Sequence, residues 1–487
     1  MICEFGLSHI AMAEKMLKFV HLDRAPPPKR DAGERIRDFN EIYAREPSRQ
    51  AASQASRCSQ CGVPFCQSGC PLANNIPDWL KLAAEGRLEE AYEISAATNP
   101  MPEICGRICP QDRLCEGACV IERAGHGTVT IGATEKYIAD TAWTRGWISS
   151  LRFPVERPQS VGIVGAGPAG LACAEALRRC GYKITIYERQ DRAGGLLAYG
   201  IPSFKLDKKI VARRVARLAT GGIVFAFGCE VGSDVTLSEL RRKHDAVFLA
   251  TGVYRPREIN VPGCMLKNIV PALDFLVAEN RREYGGKTDA TLNAKDKRVV
   301  VIGGGDTAMD CLRTAVRQGA KSVTCLYRRD RENMPGSARE VANAEEEGVK
   351  FEWLTQPKAF RGASHIEAVM AARMRLGRPD AAGRKTPEEM AGTGFAVPAD
   401  LAIKALGFLP ENLPEKLAEP ELAVSATGTL RVSSATGMTS IPGVFAGGDI
   451  VRGAALVVWA IRDGRDAAAS IHSYLQAKNA GRTAKQQ

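Results

Sequence analysis

Residues 161–170 read Val-Gly-Ile-Val-Gly-Ala-Gly-Pro-Ala-Gly, a short apolar run that ends in three closely spaced glycines. The run Val161–Val164 predicts a buried strand, and the residues after the glycines predict a helix that continues to about Cys180. A second strand is predicted over Lys183–Tyr187, directly before Glu188. This succession of strand, glycine loop, helix and strand is typical of a dinucleotide-binding βαβ unit.

The three glycines of this loop have separate physical roles. Gly165 permits the tight turn, Gly167 lets the backbone approach a pyrophosphate, and Gly170 lets the helix pack closely on the strand. The N–H groups at the start of the helix then stabilise phosphate charge. Glu188 is placed to accept hydrogen bonds from ribose hydroxyls. The alternative is a glycine turn that serves packing alone.

A second unit of the same kind begins at Arg298 and predicts a second nucleotide-binding domain. Its parts, in chain order, are strand Val299–Ile302, loop Gly303-Gly-Gly305-Asp-Thr-Ala308, a helix to about Gln318, and strand Ser322–Tyr327.

The second unit differs from the first in the residues that end its last strand, which are Arg328 and Arg329. An acidic residue there would hold a free 2′-hydroxyl, whereas an arginine can pair with a 2′-phosphate. The sequence therefore favours NADPH over NADH. Which of the two arginines dominates stays open, and a solvated strand end of mixed charge is the alternative.

Three later segments resemble motifs of the flavoproteins that have two dinucleotide-binding domains. They are Gly194-Gly195, the strand Phe248–Gly252 that ends in Ala-Thr-Gly, and the strand Gly443–Asp449 that ends in Gly-Gly-Asp. In that family the last aspartate contacts the ribityl and phosphate region of the flavin, which implies this role for Asp449. A helix start within Gly453–Trp459 would then lie near the flavin ring. The resemblance implies an FAD site made of Gly165, Gly167, Gly170, Glu188, Gly195, Thr251, Gly252, Gly448 and Asp449.

Eight of the 15 cysteines lie between Cys58 and Cys119. They form the patterns Cys58-x2-Cys61-x4-Cys66-x3-Cys70 and Cys105-x3-Cys109-x5-Cys115-x3-Cys119. Proline follows two of them, as it does beside ligands of iron–sulfur clusters. Structural zinc is the alternative, but its ribbons repeat C-x2-C twice, and only Cys58 and Cys61 have that spacing. Next to a flavin domain, the pattern favours electron-carrying [4Fe–4S] clusters.

Composition limits the remaining possibilities. The chain has 487 residues, of which 45% are hydrophobic and 25% charged, and a net charge of +11 that is spread along the sequence. We therefore expect no nucleic-acid partner. No apolar run approaches the ~20 residues of a membrane span, and Met1–Lys15 lacks the pattern of a signal peptide. These features predict a cytoplasmic protein whose cysteines are reduced. Cys3 is a poor candidate for a nucleophile, and no function is assigned to the residues before Met12.

The predicted fold is α/β, with two Rossmann-like dinucleotide-binding domains preceded by a helical iron–sulfur domain. Helical spacing in Ile76–Glu93 and Ala133–Trp143 supports the helical part, Pro154 and Pro158 mark a linker, and Gly362–Ala396 is predicted as a loop. The expected domains are 1–155 with two [4Fe–4S] clusters, 156–288 as the first FAD-binding part, 289–404 as the NADPH-binding domain, and 405–487 as the second FAD-binding part.

Nearly the whole chain resembles the small (beta) subunits of bacterial NADPH-dependent glutamate synthases. The resemblance is carried by the cysteine groups and by Gly33–Tyr43, Gly194–Pro202, Tyr327–Pro335 and Gly447–Arg465. It implies hydride transfer from NADPH to FAD without a side-chain base, and electron flow through the clusters to a large (alpha) subunit. That subunit would make glutamate from glutamine and 2-oxoglutarate. The alternatives are an NADPH:ferredoxin-type subunit that serves another partner, and a non-enzymatic assembly protein.

The cysteine segment is also similar to the N-terminal iron–sulfur domain of dihydropyrimidine dehydrogenase. That resemblance implies that the two cysteine patterns interleave. One cluster would take Cys58, Cys61, Cys66 and Cys119, and the other would take Cys70, Cys109, Cys115 and Glu135. The relative has a glutamine where this chain has Glu135, so whether Glu135 or Cys105 is the eighth ligand stays open.

Overall fold

The computed structural model describes residues 14–44, 48–153, 155–287, 289–379 and 385–483. The sequence-based predictions about Cys3, the residues before Met12, and Pro154 fall outside these ranges, as does part of Gly362–Ala396. The described helices are α1 (Ala32–Arg35), α2 (Ser48–Ala55), α3 (Phe65–Ser68), α4 (Ile76–Ala84), α5 (Leu88–Thr98), α6 (Pro102–Ile108), α7 (Val120–Arg123), α8 (Ile131–Arg145), α9 (Pro168–Arg179), α10 (Leu196–Tyr199), α11 (Lys208–Thr220), α12 (Leu237–Lys243), α13 (Ala272–Glu283), α14 (Asp306–Arg317), α15 (Ala338–Glu346), α16 (Leu413–Lys416), α17 (Asp449–Arg452) and α18 (Val457–Thr483).

The described strands form two parallel and two antiparallel sheets. They are β1 (Ser160–Val164), β2 (Lys183–Glu188), β3 (Val224–Phe227), β4 (Ala246–Leu249), β5 (Arg255–Pro256), β6 (Ile269–Pro271), β7 (Arg298–Ile302), β8 (Ser322–Leu326), β9 (Lys350–Glu352), β10 (Thr355–Arg361), β11 (Ala368–Pro379), β12 (Lys385–Glu389), β13 (Phe395–Pro398), β14 (Leu401–Lys404), β15 (Phe408–Leu409) and β16 (Val444–Ala446).

The chain divides into two compact units. The first contains the described residues of 1–29 and 43–149, and the regular elements described there are helices. Its core surrounds Trp79, which is 1% exposed and donates from Nε1 to Oδ1 of Asn74 (2.8 Å). Gly106 lets α6 approach α8, because a Cβ there would lie 2.6 Å from the backbone N of Lys136.

The second unit contains Arg30–Ile42 and the chain from Ser150 onward. Its first sheet has the order β16-β4-β1-β2-β3, and its second has the order β6-β14-β7-β8-β9. All neighbours in both sheets run parallel. The α/β class and the two predicted βαβ units are therefore confirmed. β6 and β14 of the second sheet lie on either side of the predicted domain limit between 288 and 289.

The carboxyl ends of the parallel strands position both glycine loops. β1 leads into the first loop and α9, while β7 leads into the second loop and α14. β4 and β16 flank β1 on one side, so the segments that follow these two strands reach the same edge of the sheet as the first loop. This edge is where ligands bind in open α/β sheets.

The prediction of a loop over Gly362–Ala396 is wrong. The described part of this segment contains β11 and β12 and the start of β13, and β11 pairs with β10, β12 and β13 in an antiparallel sheet. Val369 and Ala371 of β11 join a buried cluster with Val300 and Ile302 of β7. The charged residues that suggested a loop alternate with these apolar residues, because one face of the sheet is exposed.

No helix in the described ranges is long and apolar enough to cross a membrane.

Candidate functional site

The first glycine loop leaves no room for side chains on its protein side. Gly165 has φ +102°, and a Cβ there would lie 2.5 Å from the carbonyl oxygen of Ala250. A Cβ on Gly170 would lie 2.0 Å from the carbonyl oxygen of Gly165. A Cβ on Gly167 would meet no protein atom within 4 Å, because Gly167 lines an open cleft. The structure thus gives the three glycines different surroundings: a tight turn at Gly165, close packing at Gly170 and open space at Gly167.

The cleft holds about 1030 Å³, including space that opens to solvent, and Glu188 stands in its wall. Glu188 is 6% exposed, and burial raises the pKa of its carboxyl. Its two oxygens accept from the N–H groups of Ala166 (2.8 Å) and Gln190 (2.9 Å). Each oxygen keeps a second lone pair, so the carboxylate both fixes the glycine loop and can accept from a ligand hydroxyl.

Four further predicted residues line the same cleft, two after β4 and two after β16: Thr251, Gly252, Gly448 and Asp449. The Thr251 hydroxyl is buried and has no hydrogen-bond partner within the described parts of the chain. Burial raises the pKa of Asp449 to about 7. Gly195 packs behind the glycine loop, since its Cβ would lie 2.9 Å from Cα of Gly167.

These features fit a long, phosphate-bearing ligand such as FAD. A buried hydroxyl without a partner is costly unless a ligand supplies one. The open space beside Gly167 lies at the start of α9, where N–H groups attract a pyrophosphate.

Sequence patterns did not reveal the charged wall of this cleft. The Arg189 guanidinium lies over the Tyr254 ring at 4.5 Å and donates to both oxygens of Glu411 (3.3 Å each). Lys416 pairs with the same carboxylate at 2.9 Å. The position of Arg189 directly after Glu188 was a usable signal, whereas Glu411 follows no motif.

The second glycine loop repeats the geometry of the first. Gly303 has φ +140°, and a Cβ there would lie 2.2 Å from the carbonyl oxygen of Ala405. A Cβ on Gly305 would meet no protein atom within 4 Å, and this residue directly precedes α14. Ala308 is fully buried and takes the place of the third glycine. The loop therefore presents open backbone at the start of a helix, which suits a second dinucleotide.

The two predicted phosphate ligands follow β8. Arg328 is exposed, while Nε of the half-buried Arg329 donates to the backbone oxygen of Lys385 (3.1 Å). Both cations are therefore within reach of solvent, and part of the Arg329 guanidinium is already engaged by the protein.

The first unit brings Cys58, Cys61, Cys66 and Cys119 together. Burial raises the pKa of the Cys66 thiol to about 12, and Cys58, Cys119 and Cys61 are its electrostatic neighbours that raise it further. Cys58 is likewise affected by Cys119 and Cys61. The last cysteine of the second pattern therefore lies with three of the first pattern.

A second group contains Cys70, Cys105, Cys109, Cys115 and Glu135. Burial raises the pKa of Cys70 to about 11, and Glu135 and Cys105 act in the same direction. Burial also raises the pKa of Glu135 to about 8.

Asn99 joins two members of this second group. Its Nδ2 donates to Oε1 of Glu135 (2.9 Å), while Sγ of Cys105 donates to its Oδ1 (3.7 Å). Cys105 and Glu135 both lie in the group, so it contains both candidates for the eighth ligand.

The thiols of both groups are of a donor type that iron–sulfur clusters use. No three histidine, cysteine or acidic side chains in the described ranges are placed to share one metal ion. A single Zn²⁺ binds sulfur at ≈ 2.3 Å and draws its ligands close together, whereas an iron–sulfur cluster is larger than one ion and holds its thiolates further apart. The thiols would lose their protons on ligation.

Two family models match the chain. Residues 35–147 match dihydropyrimidine dehydrogenase domain II, 4Fe-4S cluster. Residues 159–464 match pyridine nucleotide-disulphide oxidoreductase. The chain is therefore a pyridine-nucleotide oxidoreductase with an N-terminal iron–sulfur domain.

Curated relatives define the family more narrowly. The glutamate synthase [NADPH] small chain of Azospirillum brasilense is 61% identical over 96% of this chain and 97% of its own length. The putative oxidoreductase AegA of Escherichia coli K12 is 46% identical over 94% of this chain and 70% of its own length. This chain belongs to the family of glutamate synthase [NADPH] small chains.

Among solved structures, FprA of Mycobacterium tuberculosis in complex with NADPH is similar to this chain with a TM-score of 0.56 and 21% identity. The match covers 67% of this chain and 86% of FprA. At this identity the likeness supports the fold alone.

Gly170, which is tightly packed, and Gly167, which faces open space, predict opposite outcomes for the same substitution. Gly170→Ala should destabilise the protein by about 1–3 kcal/mol, because its Cβ would collide with the Gly165 oxygen. Gly167→Ala should change the free energy of unfolding of flavin-free protein by less than about 0.5 kcal/mol, yet it should abolish FAD retention. Urea unfolding and flavin content per chain measure both effects. Full flavin retention by Gly167→Ala would show that Gly167 does not face the cofactor.

Proposed function

We propose that this chain is the electron-input subunit of a glutamate synthase, which accepts hydride from NADPH and delivers electrons to a large subunit. The observation that carries this proposal is the 61% identity to a glutamate synthase [NADPH] small chain over nearly the full length of both proteins. The large (alpha) subunit would make glutamate from glutamine and 2-oxoglutarate. Both glycine loops and both cysteine groups are intact here, which supports an active oxidoreductase.

We assign FAD to the first cleft. FAD, when bound, accepts a hydride and can release electrons one at a time. Gly165, Gly167 and Gly170 would shape the pyrophosphate turn, and Glu188 would bind ribose. Thr251 and Asp449 would supply polar groups deeper in the cleft, while Gly195, Gly252 and Gly448 would let the backbone approach.

We assign NADPH to the second loop. Gly303, Gly305 and Ala308 would form the pyrophosphate turn, and the start of α14 would attract the phosphates. Arg328 and Arg329 would pair with the 2′-phosphate. Of the two, Arg328 is the more exposed, whereas Arg329 already donates to Lys385, which favours Arg328 as the main phosphate ligand.

Hydride transfer needs no proton carrier on this chain, and we assign no catalytic side chain. The described histidines support this assignment. His244, for example, pairs with the hydroxyls of Tyr187 (2.9 Å) and Ser160 (3.1 Å), and burial holds its pKa near 4. A histidine with these contacts contributes to the packing of the first sheet, and we assign it no role in proton transfer.

We propose two [4Fe–4S] clusters in the first unit. One would be bound by Cys58, Cys61, Cys66 and Cys119, and the other by Cys70, Cys109, Cys115 and Glu135. The grouping of thiols supports this division. Glu135 is favoured over Cys105 because a cluster would compensate its buried carboxylate.

We also propose the domain limits given above for the sequence, with one refinement. The segment from Ile269 to Glu283 supplies β6 and α13, and β6 pairs with β14 of the second sheet. This segment therefore belongs with the NADPH-binding domain.

A second candidate function is electron delivery to another partner, as in an NADPH:ferredoxin-type subunit. The match to a putative oxidoreductase over 94% of this chain favours this candidate. That protein has a similar sequence but is not named as a glutamate synthase subunit.

The isolated chain should oxidise NADPH with a tetrazolium dye but should form no glutamate from glutamine and 2-oxoglutarate. Addition of a purified glutamate synthase large subunit should restore glutamate formation. Glutamate formation by the single chain would refute the assignment of roles. Failure of the large subunit to restore it, combined with reduction of a ferredoxin, would favour the second candidate function.

Arg328→Gln and Arg329→Gln should each raise the KM for NADPH and leave the KM for NADH nearly unchanged. A charged hydrogen bond contributes about 1.5–3 kcal/mol, which corresponds to roughly a tenfold to hundredfold rise in KM. Arg331→Gln is the matched control, because Arg331 is bound to Glu345 (2.8 Å). Equal losses with both nucleotides would mean that the arginines hold structure.

Cys105→Ser should retain most of its iron and its dye reduction, whereas Cys109→Ser should lose a cluster. Flavin reduction by NADPH should survive in both variants, because the flavin site is built from the second unit. Iron analysis and stopped-flow absorbance measure the two properties. If Cys105→Ser loses as much iron as Cys109→Ser, then Cys105 is the ligand in place of Glu135.

A further inference from the structure

The segment Arg30–Ile42, here called the clamp loop, belongs to the second unit, although the chain on both sides of it belongs to the first. Its ends meet, since the N–H of Arg30 donates to the backbone oxygen of Ile42 (2.9 Å). Inside the loop, the Arg30 guanidinium donates to both oxygens of Asp38 (2.9 and 2.6 Å). These contacts give it the form of a compact Ω-loop, a class that is often functional.

Arg35 anchors the clamp loop to the end of α15. It is 1% exposed, its Nε donates to Oε1 of Glu347 (2.9 Å), and its Nη2 donates to Oε2 of Glu346 (2.7 Å). Nη2 also contacts the backbone oxygen of Asn343 (3.3 Å). One guanidinium therefore holds two carboxylates and a carbonyl at the carboxyl end of this helix, where positive charge is favoured.

Glu347 connects Arg35 to the nucleotide-binding helix. The same carboxylate accepts from Arg313 (3.0 and 2.9 Å) and from Arg317 (2.6 and 3.1 Å), both on α14. The side chains of all three residues are fully buried. α14 begins directly after Gly305. A shift of Glu347 would therefore move α14, the helix that follows the second glycine loop.

The clamp loop also contacts residues 202–207, which lie between α10 and α11. The N–H of Ile42 donates to the backbone oxygen of Phe204 (3.3 Å), and Oε1 of Glu41 accepts from the N–H of Asp207 (3.2 Å). The Phe39 ring lies 6.3 Å from the Phe204 ring.

Residues 202–207 in turn contact α14 directly. Nζ of Lys205 donates to Oδ1 of Asp310 (2.8 Å) and lies 3.9 Å from Glu340. The guanidinium groups of Arg313 and Arg317 lie over the Phe204 ring at 4.5 and 4.0 Å. The clamp loop, residues 202–207 and α14 thus meet in one buried group of charges.

Such a group allows little movement. Burial opposes ionisation of Glu340, yet Lys205 and Arg313 outweigh it and hold its pKa at about 2. Separation of the partners would leave buried charges uncompensated, which is strongly unfavourable. The contacts therefore favour a single arrangement of α14 relative to residues 202–207.

We propose that the clamp loop fixes the nucleotide-binding helix α14 against residues 202–207, and that Arg35 is a positioning residue for hydride transfer. The proposal rests on the NADPH and FAD sites assigned above. Hydride transfer requires the two rings at a set distance, and a misplacement of about 1 Å can reduce a rate roughly a hundredfold. Arg35 touches neither glycine loop, so its effect would pass through Glu347 and α14.

The test uses the full-length holoprotein with Arg35→Met, which keeps side-chain bulk but removes the donors. Glu347 retains Arg313 and Arg317, so the variant should fold. Arg375→Met is the matched control, because the Arg375 side chain is 71% exposed and pairs with Glu388 on the antiparallel sheet. Stopped-flow absorbance gives the rate of flavin reduction at saturating NADPH and the Kd for NADPH, and flavin content reports the folded fraction.

We expect Arg35→Met to reduce flavin at least about tenfold more slowly at saturating NADPH, with normal flavin content and less than about a threefold change in Kd. Glu346→Gln, which removes the negative charge from a half-exposed partner of Arg35, should lower the rate in the same direction by a smaller factor. Should Arg35→Met fail to fold, Glu346→Gln alone decides the outcome.

A variant with lowered flavin content whose remaining flavin is reduced at the normal rate would overturn the proposal, since Arg35 would then serve stability alone. Unchanged rates in both variants would overturn it as well. If the unmodified protein itself fails to reduce its flavin with NADPH, the proposed function fails, and this outcome is distinct from failure of the clamp.

Discussion

The turn from β1 into α9 depends on the absence of a side chain at Gly165. A Cβ there would meet the Ala250 oxygen at 2.5 Å, and that oxygen belongs to the segment after β4. The turn and the end of the neighbouring strand therefore pack directly against each other, and together they form part of the wall of the cleft. The same contact recurs at Gly303 and Ala405 in the second sheet. Both glycine loops thus take their shape because backbone packs directly on backbone at the carboxyl edge of a parallel sheet.

This constraint explains why much of the second unit could be predicted. A turn that admits only glycine leaves a pattern in the sequence, and the strands on both sides must be apolar because helices cover them. The antiparallel sheet leaves a weaker pattern. β11 has one exposed face, so Arg373 and Arg375 alternate with its buried residues. The resulting mixture of charged and apolar residues resembles the sequence of a loop. The charged wall of the first cleft was also hidden, since Arg189 and Glu411 are far apart in sequence and meet only in the folded chain.

The cysteine groups show another limit of sequence spacing. Two runs of four cysteines suggest two separate sites, but Cys119 of the second run lies with Cys58 and Cys66 of the first. The resemblance to an iron–sulfur domain implied this exchange, whereas spacing alone left it open. In the second group, Gly106 provides the space that brings distant residues together. It allows α6 to approach α8, and this approach places Cys105 and Cys109 beside Glu135.

The buried carboxylates of this protein fall into two physical classes. Glu347 and Glu340 are buried, but hydrogen bonds and charge from arginine or lysine outweigh burial and lower their pKa values. Burial is the dominant influence on Asp449 and Glu135 and raises their pKa values to about 7 and about 8. A carboxylate of the first class is satisfied by the fold and stabilises it. One of the second class stays costly unless a ligand compensates it, which is the property expected of a carboxylate at a functional site.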